Sequence, residues 1–213
     1  MQPVGLSEAR YRLALQRNTG DILNASQHVL MAIWVLAVIL LGMGGLIRER
    51  AVGASSFTLA LPVSRRLVSV QIAMGVLESI GLAVLPWVAI LVTLGLGGLP
   101  LSFSQVAFYL ALLISGGLTY FALAVLISSL IEGEYTAPAV AYGLVVLSGI
   151  VCGTVEELRP YADLWRFMGG DNHFSEGVSL LRGPFPWLGA FAALSVAALL
   201  LLASVAVIQK REF

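Results

Sequence analysis

One acidic residue stands inside an otherwise apolar stretch of this sequence. Glu78 lies about eleven residues after Leu67, which is roughly 16 Å along a helix that rises 1.5 Å per residue. An ionisable side chain at this depth is costly in lipid, so we expect Glu78 to face the interior of a helical bundle. Two interpretations stay open: the carboxyl group lines a substrate path or locks two helices by a hydrogen bond, or it is a protonated and satisfied group packed between helices.

A second group of reactive side chains occurs in the segment GGDNHFSE at 169–176. Asp171, His173 and Glu176 are residue types that bind metals. A zinc site needs three or four ligands with supporting groups around them. This segment offers one histidine and no cysteine, so we expect a polar loop and no metal.

The remaining motifs do not indicate an enzyme. Glu156 and Glu157 precede Arg159, but the Glu-Glu-x-x-x-Arg spacing of prenyl-type intramembrane proteases fails, and the apolar runs carry no histidine. The chain has no phosphate-binding loop, and nothing like one surrounds its single lysine, Lys210. The single cysteine, Cys152, excludes an internal disulfide and is expected to be a small buried apolar side chain. We therefore predict no catalytic residue, no metal and no cofactor in this chain.

The elements that hold these residues are predicted by the composition. Of the 213 residues, 59% are hydrophobic and 11% are charged, whereas soluble domains carry about 25% charged residues. The formal net charge of zero gives no basic field for nucleic acid. Crossing the hydrocarbon core takes about 20 apolar residues in a helix. The sequence thus predicts an all-α, polytopic membrane bundle with five spans: 29–47, 67–99, 105–131, 136–153 and 187–208.

Basic residues predict the orientation of these spans. Those of the 48–66 loop and the C-terminal tail lie close to span ends, where the positive-inside rule is strongest. We therefore expect 48–66 to be cytoplasmic, and 1–28 and 154–186 to be on the opposite side. A tail at 1–28 with three arginines is difficult to transfer across the membrane, because no helix precedes it to carry it across. We hypothesise that a first membrane helix is missing from this sequence.

The 48–66 segment has three parts: a charged anchor, a stretch that favours a helix, and the start of the next span. Arg48, Glu49 and Arg50 anchor the end of the first span. Ala51–Ala60 could form two to three helical turns that Pro62 ends. Ser64 then caps the next helix, whose first turn holds Arg65. By physics alone, this segment is either a short helix across the cytoplasmic face or an ordinary interfacial loop.

The motif in this segment favours the first interpretation. Glu49-Arg50-x-x-Gly53, followed by Leu59-Ala60-Leu61-Pro62-Val63-Ser64-Arg65, resembles the signature of ABC transporter permeases of the type 2 exporter class. This chain has Ala54 after the glycine, where that family often has threonine, and Phe57-Thr58 where it often has an acidic residue. The resemblance implies that 48–66 is a coupling helix in a groove of a separate ATP-binding subunit. The implied contact residues are Glu49, Arg50, Gly53, Phe57, Leu61, Pro62, Ser64 and Arg65.

The resemblance covers roughly 31–213 and implies further properties. Family members have six spans per subunit, of which this chain would show the last five, and a pair of short re-entrant helices before the last span. The implied assembly contains two permease copies, identical or different, and two subunits that hold ATP and Mg²⁺, in a bacterial inner membrane. The alternative is a non-transporting scaffold or sensor whose 48–66 loop binds a cytoplasmic partner.

Overall fold

The structure is a computed structural model that describes residues 4–43, 64–96, 103–131, 136–155, 163–169, 174–175, 178–181 and 184–210. These ranges contain six helices and one pair of short strands. In chain order they are α1 (Val4–Met43), α2 (Ser64–Leu96), α3 (Phe103–Leu130), α4 (Thr136–Thr154), α5 (Leu164–Gly169), β1 (Phe174–Ser175), β2 (Val178–Leu181) and α6 (Trp187–Lys210).

Five of these helices are long and apolar enough to cross a membrane. The candidate spans are Ala25–Gly42, Ser69–Thr93, Phe103–Leu130, Thr136–Thr154 and Trp187–Ile208. They overlap the five spans predicted from the apolar runs, because both are identified by length and hydropathy. The chain is therefore a multi-pass membrane protein with a helical bundle, and its described spans expose many large apolar side chains.

Helix α3 is the centre of the bundle. Of its spanning window, 61% is buried inside the protein, against 22% for α2, 22% for α4 and 17% for α6. Helices α1, α2, α4, α5 and α6 all pack against it. Its buried side chains include Leu112, Tyr109 and Phe121, and Tyr109 stacks on Trp87 of α2 with ring centroids 5.1 Å apart. The outer helices consequently expose large apolar side chains such as Leu85, Leu188 and Leu202.

Helix α1 corrects one expectation from the sequence. Residues 1–28 were predicted to be a tail or loop, but the helix begins at Val4 and runs without a break into the first span. Its 40 residues are roughly 60 Å long, about twice the hydrocarbon thickness of a bilayer. Strong helix formers such as Glu8, Arg10 and Leu13 account for the extension. Apolar runs identify only the part of a helix that lies in the membrane.

Hydroxyl groups inside the bundle are satisfied by backbone carbonyls, as lipid requires. Ser115 and Ser204 donate to carbonyls one turn earlier in their own helices. Thr119 of α3 donates across the bundle to the carbonyl oxygen of Ala193 in α6, at 3.0 Å. Ser128 of α3 approaches the carbonyl oxygen of Gly42 in α1 at 3.4 Å. Polar atoms thus hold α3 to its neighbours at two depths.

Candidate functional site

The structure describes the helices that flank the predicted coupling segment in sequence. Helix α1 ends at Met43 and α2 begins at Ser64, at the boundary that Pro62 and Ser64 predict. Residues Glu49, Arg50, Gly53, Phe57, Leu61 and Pro62 lie outside the described residues. The backbones of Ser64 and Arg65 form the first turn of α2, and their side chains lie outside the described part. The coupling helix therefore stays a prediction.

Glu78 lies on the outer surface of the bundle, where the sequence predicted an inward position. Its side chain is exposed on α2, next to Met74, Leu77 and Leu82, which are 51%, 62% and 40% exposed. It has no hydrogen bond or ion pair with any other residue that the structure describes. The expectation was wrong for this chain by itself, because the neighbouring Ser79, which is buried, takes the inward position on this turn. Glu78 is consequently available to a neighbour in the membrane.

A tryptophan connects α1, α2 and α3 beside this position. The indole N–H of Trp34 donates to the carbonyl oxygen of Ser79 at 3.0 Å. The hydroxyl of Ser79 donates to the carbonyl oxygen of Gly75 at 2.7 Å, so this buried hydroxyl has a hydrogen-bond partner. The Trp34 ring lies against Gly117 of α3, where a Cβ atom would overlap the ring. This glycine makes the close contact of the three helices possible.

Between the last two spans, the chain forms a short helix with a cap. Asp163 precedes α5, and its Oδ1 accepts a hydrogen bond from the backbone N–H of Arg166 at 2.9 Å. The backbone N–H of Phe167 donates to the carbonyl oxygen of Asp163 at 3.0 Å, which closes the first helical turn. This geometry is that of an aspartate N-cap. It explains why so short a helix begins at Leu164.

Helix α5 is fixed deep in the bundle by Met168. This side chain is fully buried and lies in a notch at Gly116 of α3, where a Cβ atom would overlap it. Its carbonyl oxygen accepts a hydrogen bond from Nε2 of Gln27 in α1 at 2.7 Å, and Gln27 is itself fully buried. A Cβ atom at Gly189 of α6 would lie 2.8 Å from the ring of Phe167, so these two residues also pack closely. Three spans therefore hold this helix in place.

The described part of 154–186 also contains two short strands, and the expected pair of helices in this segment stays a prediction. Strands β1 and β2 pair in an antiparallel manner, with Phe174 opposite Leu181 and Ser175 opposite Val178. Strand β2 lies against α1. In the described part of 154–186, α5 is the one helix, and Glu156, Glu157 and Arg159 lie outside it. The strands had no clear sequence signal because they are two and four residues long.

The structure does not test the expected absence of a metal at 169–176. Asp171, His173 and Glu176 lie outside the described residues. Among the residues that are described, no three His, Cys, Asp or Glu side chains come together as a metal site would require. Cys152 is buried in α4 with a free thiol, as predicted for a small apolar side chain.

Gln27 and Met168 are the contacts that sequence reasoning missed. One signal was available: Gln27 is a polar residue at the start of the first span, and a buried amide needs a partner. The identity of the partner was not readable, because Gln27 and Met168 are 141 positions apart in sequence.

Comparison of the chain with protein-family models gives no match. Comparison with curated proteins and with solved structures gives no match either. The indications of function are therefore the motif at 49–65 and the helical bundle.

Proposed function

We propose that this chain is the permease subunit of an ATP-driven exporter of the ABC type, working in a bacterial inner membrane. The observation that carries the proposal is the motif from Glu49 to Arg65, located between the first two spans of a five-span bundle. The chain is not an enzyme in this proposal, since ATP and Mg²⁺ belong to a separate subunit. Twenty residues, 44–63, lie in sequence between the described ends of α1 and α2, and this number is sufficient for a short helix.

The mechanism follows from a difference in affinity between two states. ATP binding closes two ATPase subunits, and each would carry a coupling segment with it. Closure of the ATPase subunits can shift the equilibrium between two bundle conformations. The size of this shift is limited to the difference between the free energies with which the closed ATPase binds the two conformations. Helix α2 follows the segment directly and would receive the movement at Ser64. Trp34 would pass it from α2 to α1 through its hydrogen bond to Ser79.

A second permease copy is the partner we propose for the exposed face of α2. A carboxyl group facing lipid is costly, and membrane proteins usually pair such groups. Glu78, Met74 and Leu77 form a face that another span could cover, with a hydrogen bond to the carboxyl group. The ATPase subunits lie outside the membrane and cannot reach this depth. The substrate stays open, and the sparsely polar spans favour an apolar or amphipathic one.

The alternative function is a membrane scaffold or sensor whose 48–66 segment binds a cytoplasmic protein without transport. The rate of ATP hydrolysis by the isolated complex distinguishes a transporter from a scaffold. Stimulation of hydrolysis by a candidate substrate supports a transporter, and binding without any change in hydrolysis supports a scaffold.

Affinity capture tests the proposal. The tagged chain is isolated from its native membrane in mild detergent, and the bound proteins are identified by mass spectrometry. We expect an ATP-binding subunit that disappears when Ala51–Ala60 is replaced by a flexible linker of equal length. Gly143→Ala is the control, because a Cβ atom at that exposed position meets nothing within 4 Å. Capture of no ATPase from intact membranes would overturn the proposal.

A further inference from the structure

A cavity of about 140 Å³ lies between α1, α2 and α3, in the middle of their membrane spans. Its walls are Leu30, Ile33, Trp34 and Ala37 of α1, Leu82, Ala83 and Pro86 of α2, and Leu113 of α3. The α1 residues cover about 10 Å along that helix at 1.5 Å per residue. The cavity exists because α1 and α2 both pack closely on α3 but less extensively on each other.

The exposure of these residues shows where the cavity opens. Its floor is buried, with Trp34 4%, Ala83 1% and Leu113 1% exposed. Its rim faces outward, since Ile33 is 61% and Leu82 40% exposed on the surface of the bundle. An opening at this position, in the centre of two spans, faces the hydrocarbon interior of the bilayer.

The side chains that line the cavity determine which kind of ligand it can bind. Every side chain in the wall is apolar except for the indole N–H of Trp34. That N–H already donates a hydrogen bond to the carbonyl oxygen of Ser79. A water molecule would need two to four polar partners, which these side chains do not supply. Apolar cavities of about 150 Å³ stay dry and admit a benzene-sized group. An empty cavity loses dispersion contacts along its whole lining, so an apolar guest that fits is favoured.

We propose that this cavity is a binding site for one acyl chain of a membrane phospholipid, which enters between α1 and α2 with its headgroup outside. The volume accommodates a section of one chain and excludes a whole lipid. This site rests on the membrane bundle and does not depend on the proposed transport function.

Photolabelling tests the site in the unaltered chain. The protein is reconstituted in vesicles of phosphatidylcholine in which a small fraction of the lipid carries a diazirine midway along one acyl chain. After irradiation, mass spectrometry locates the adducts. We expect adducts on the buried floor residues Trp34 and Leu113, which a chain can reach only from inside the cavity. Adducts confined to lipid-facing residues such as Leu36 and Leu40, with none on the floor, would overturn the proposal.

Cavity-filling variants make the test specific. Ala37→Leu places a larger side chain in the cavity, and floor adducts should fall several-fold while those on Leu36 and Leu40 persist. Ala32→Leu is the matched control on the exposed side of the same helix and should leave the floor adducts unchanged. Ala83→Val is a second filling variant in case the first does not give a monodisperse protein. Floor adducts that persist in a well-folded filling variant would contradict an acyl chain in the cavity.

Discussion

The ring of Trp34 occupies the space that a side chain at Gly117 would need. The two residues belong to α1 and α3, and the same indole reaches α2 through its hydrogen bond to the carbonyl oxygen of Ser79. Trp34 is only 4% exposed, and its hydrogen bond to α2 holds the ring in position beside Gly117. The packing of three spans therefore depends on the absence of one methyl group.

Adding that methyl group should destabilise the bundle. Gly117→Ala forces the Trp34 ring to shift, and overpacking of this kind costs about 1–3 kcal/mol. Thermal unfolding of the purified protein in detergent measures the change. Gly143→Ala on α4 is the control: its Cβ atom meets nothing within 4 Å, so the midpoint should be unchanged or higher. Equal midpoints for Gly117→Ala and the unaltered protein would contradict the packing described.

The amide of Gln27 should control the stability of α5. In Gln27→Leu the buried carbonyl oxygen of Met168 loses its donor, which costs about 1–3 kcal/mol. We expect hydrogen exchange in 164–169 to quicken by about tenfold, since 1.4 kcal/mol is a factor of ten. Ala25→Leu, on the exposed side of the same helix, should leave exchange there unchanged. Unchanged exchange in Gln27→Leu would show that other contacts alone hold α5.

The aspartate cap makes a separate prediction for the same helix. Asp163→Ala removes the acceptor of the Arg166 N–H, and loss of an N-cap costs about 0.5–2 kcal/mol. Exchange of the Arg166 amide should quicken. Asp163→Asn keeps a side-chain oxygen and should restore most of the protection. A variant with alanine that is as protected as the one with asparagine would rule out the cap as the reason for the helix start.

Glu78 should contribute to the association of two chains and contribute little to the stability of a single chain. Because the side chain is exposed and has no partner among the described residues, Glu78→Leu should change the stability of the single chain by no more than about 0.5 kcal/mol. Self-association in vesicles, measured by energy transfer between labelled copies, should fall several-fold. Glu78→Gln keeps a hydrogen-bonding group and should retain association. A Glu78→Leu protein that associates normally would exclude this face as the contact.

The sequence predicted the membrane spans well and their contacts poorly. Apolar runs gave five spans whose ends fall within a few residues of the observed helices, except at α1, whose first 21 residues precede the apolar window. Hydropathy reports only the tendency of a segment to enter lipid. It cannot show that a polar stretch such as 4–24 continues the same helix.

The side of a helix that a residue faces was the hardest property to predict. Glu78 was expected to point inward on grounds of cost, yet its neighbour Ser79 is the buried residue. Long apolar spans carry almost no periodic difference between a lipid face and a packed face, so the sequence contains little information on rotation. The contacts of Trp34 with Gly117 and of Gln27 with Met168 depend on that rotation and on long separations in sequence.

The proposed function requires that the segment between α1 and α2 contacts an ATP-binding subunit. The most direct measurement replaces Phe57 with a photo-crosslinking amino acid in the full chain, irradiates intact cells and identifies the attached protein by mass spectrometry. Phe191, on the membrane surface of α6, is the control position with the same parent residue. We predict a crosslink from position 57, and none from 191, to a protein with a phosphate-binding loop. If a well-expressed chain crosslinks from position 57 only to proteins without such a loop, the proposed contact with an ATP-binding subunit is contradicted.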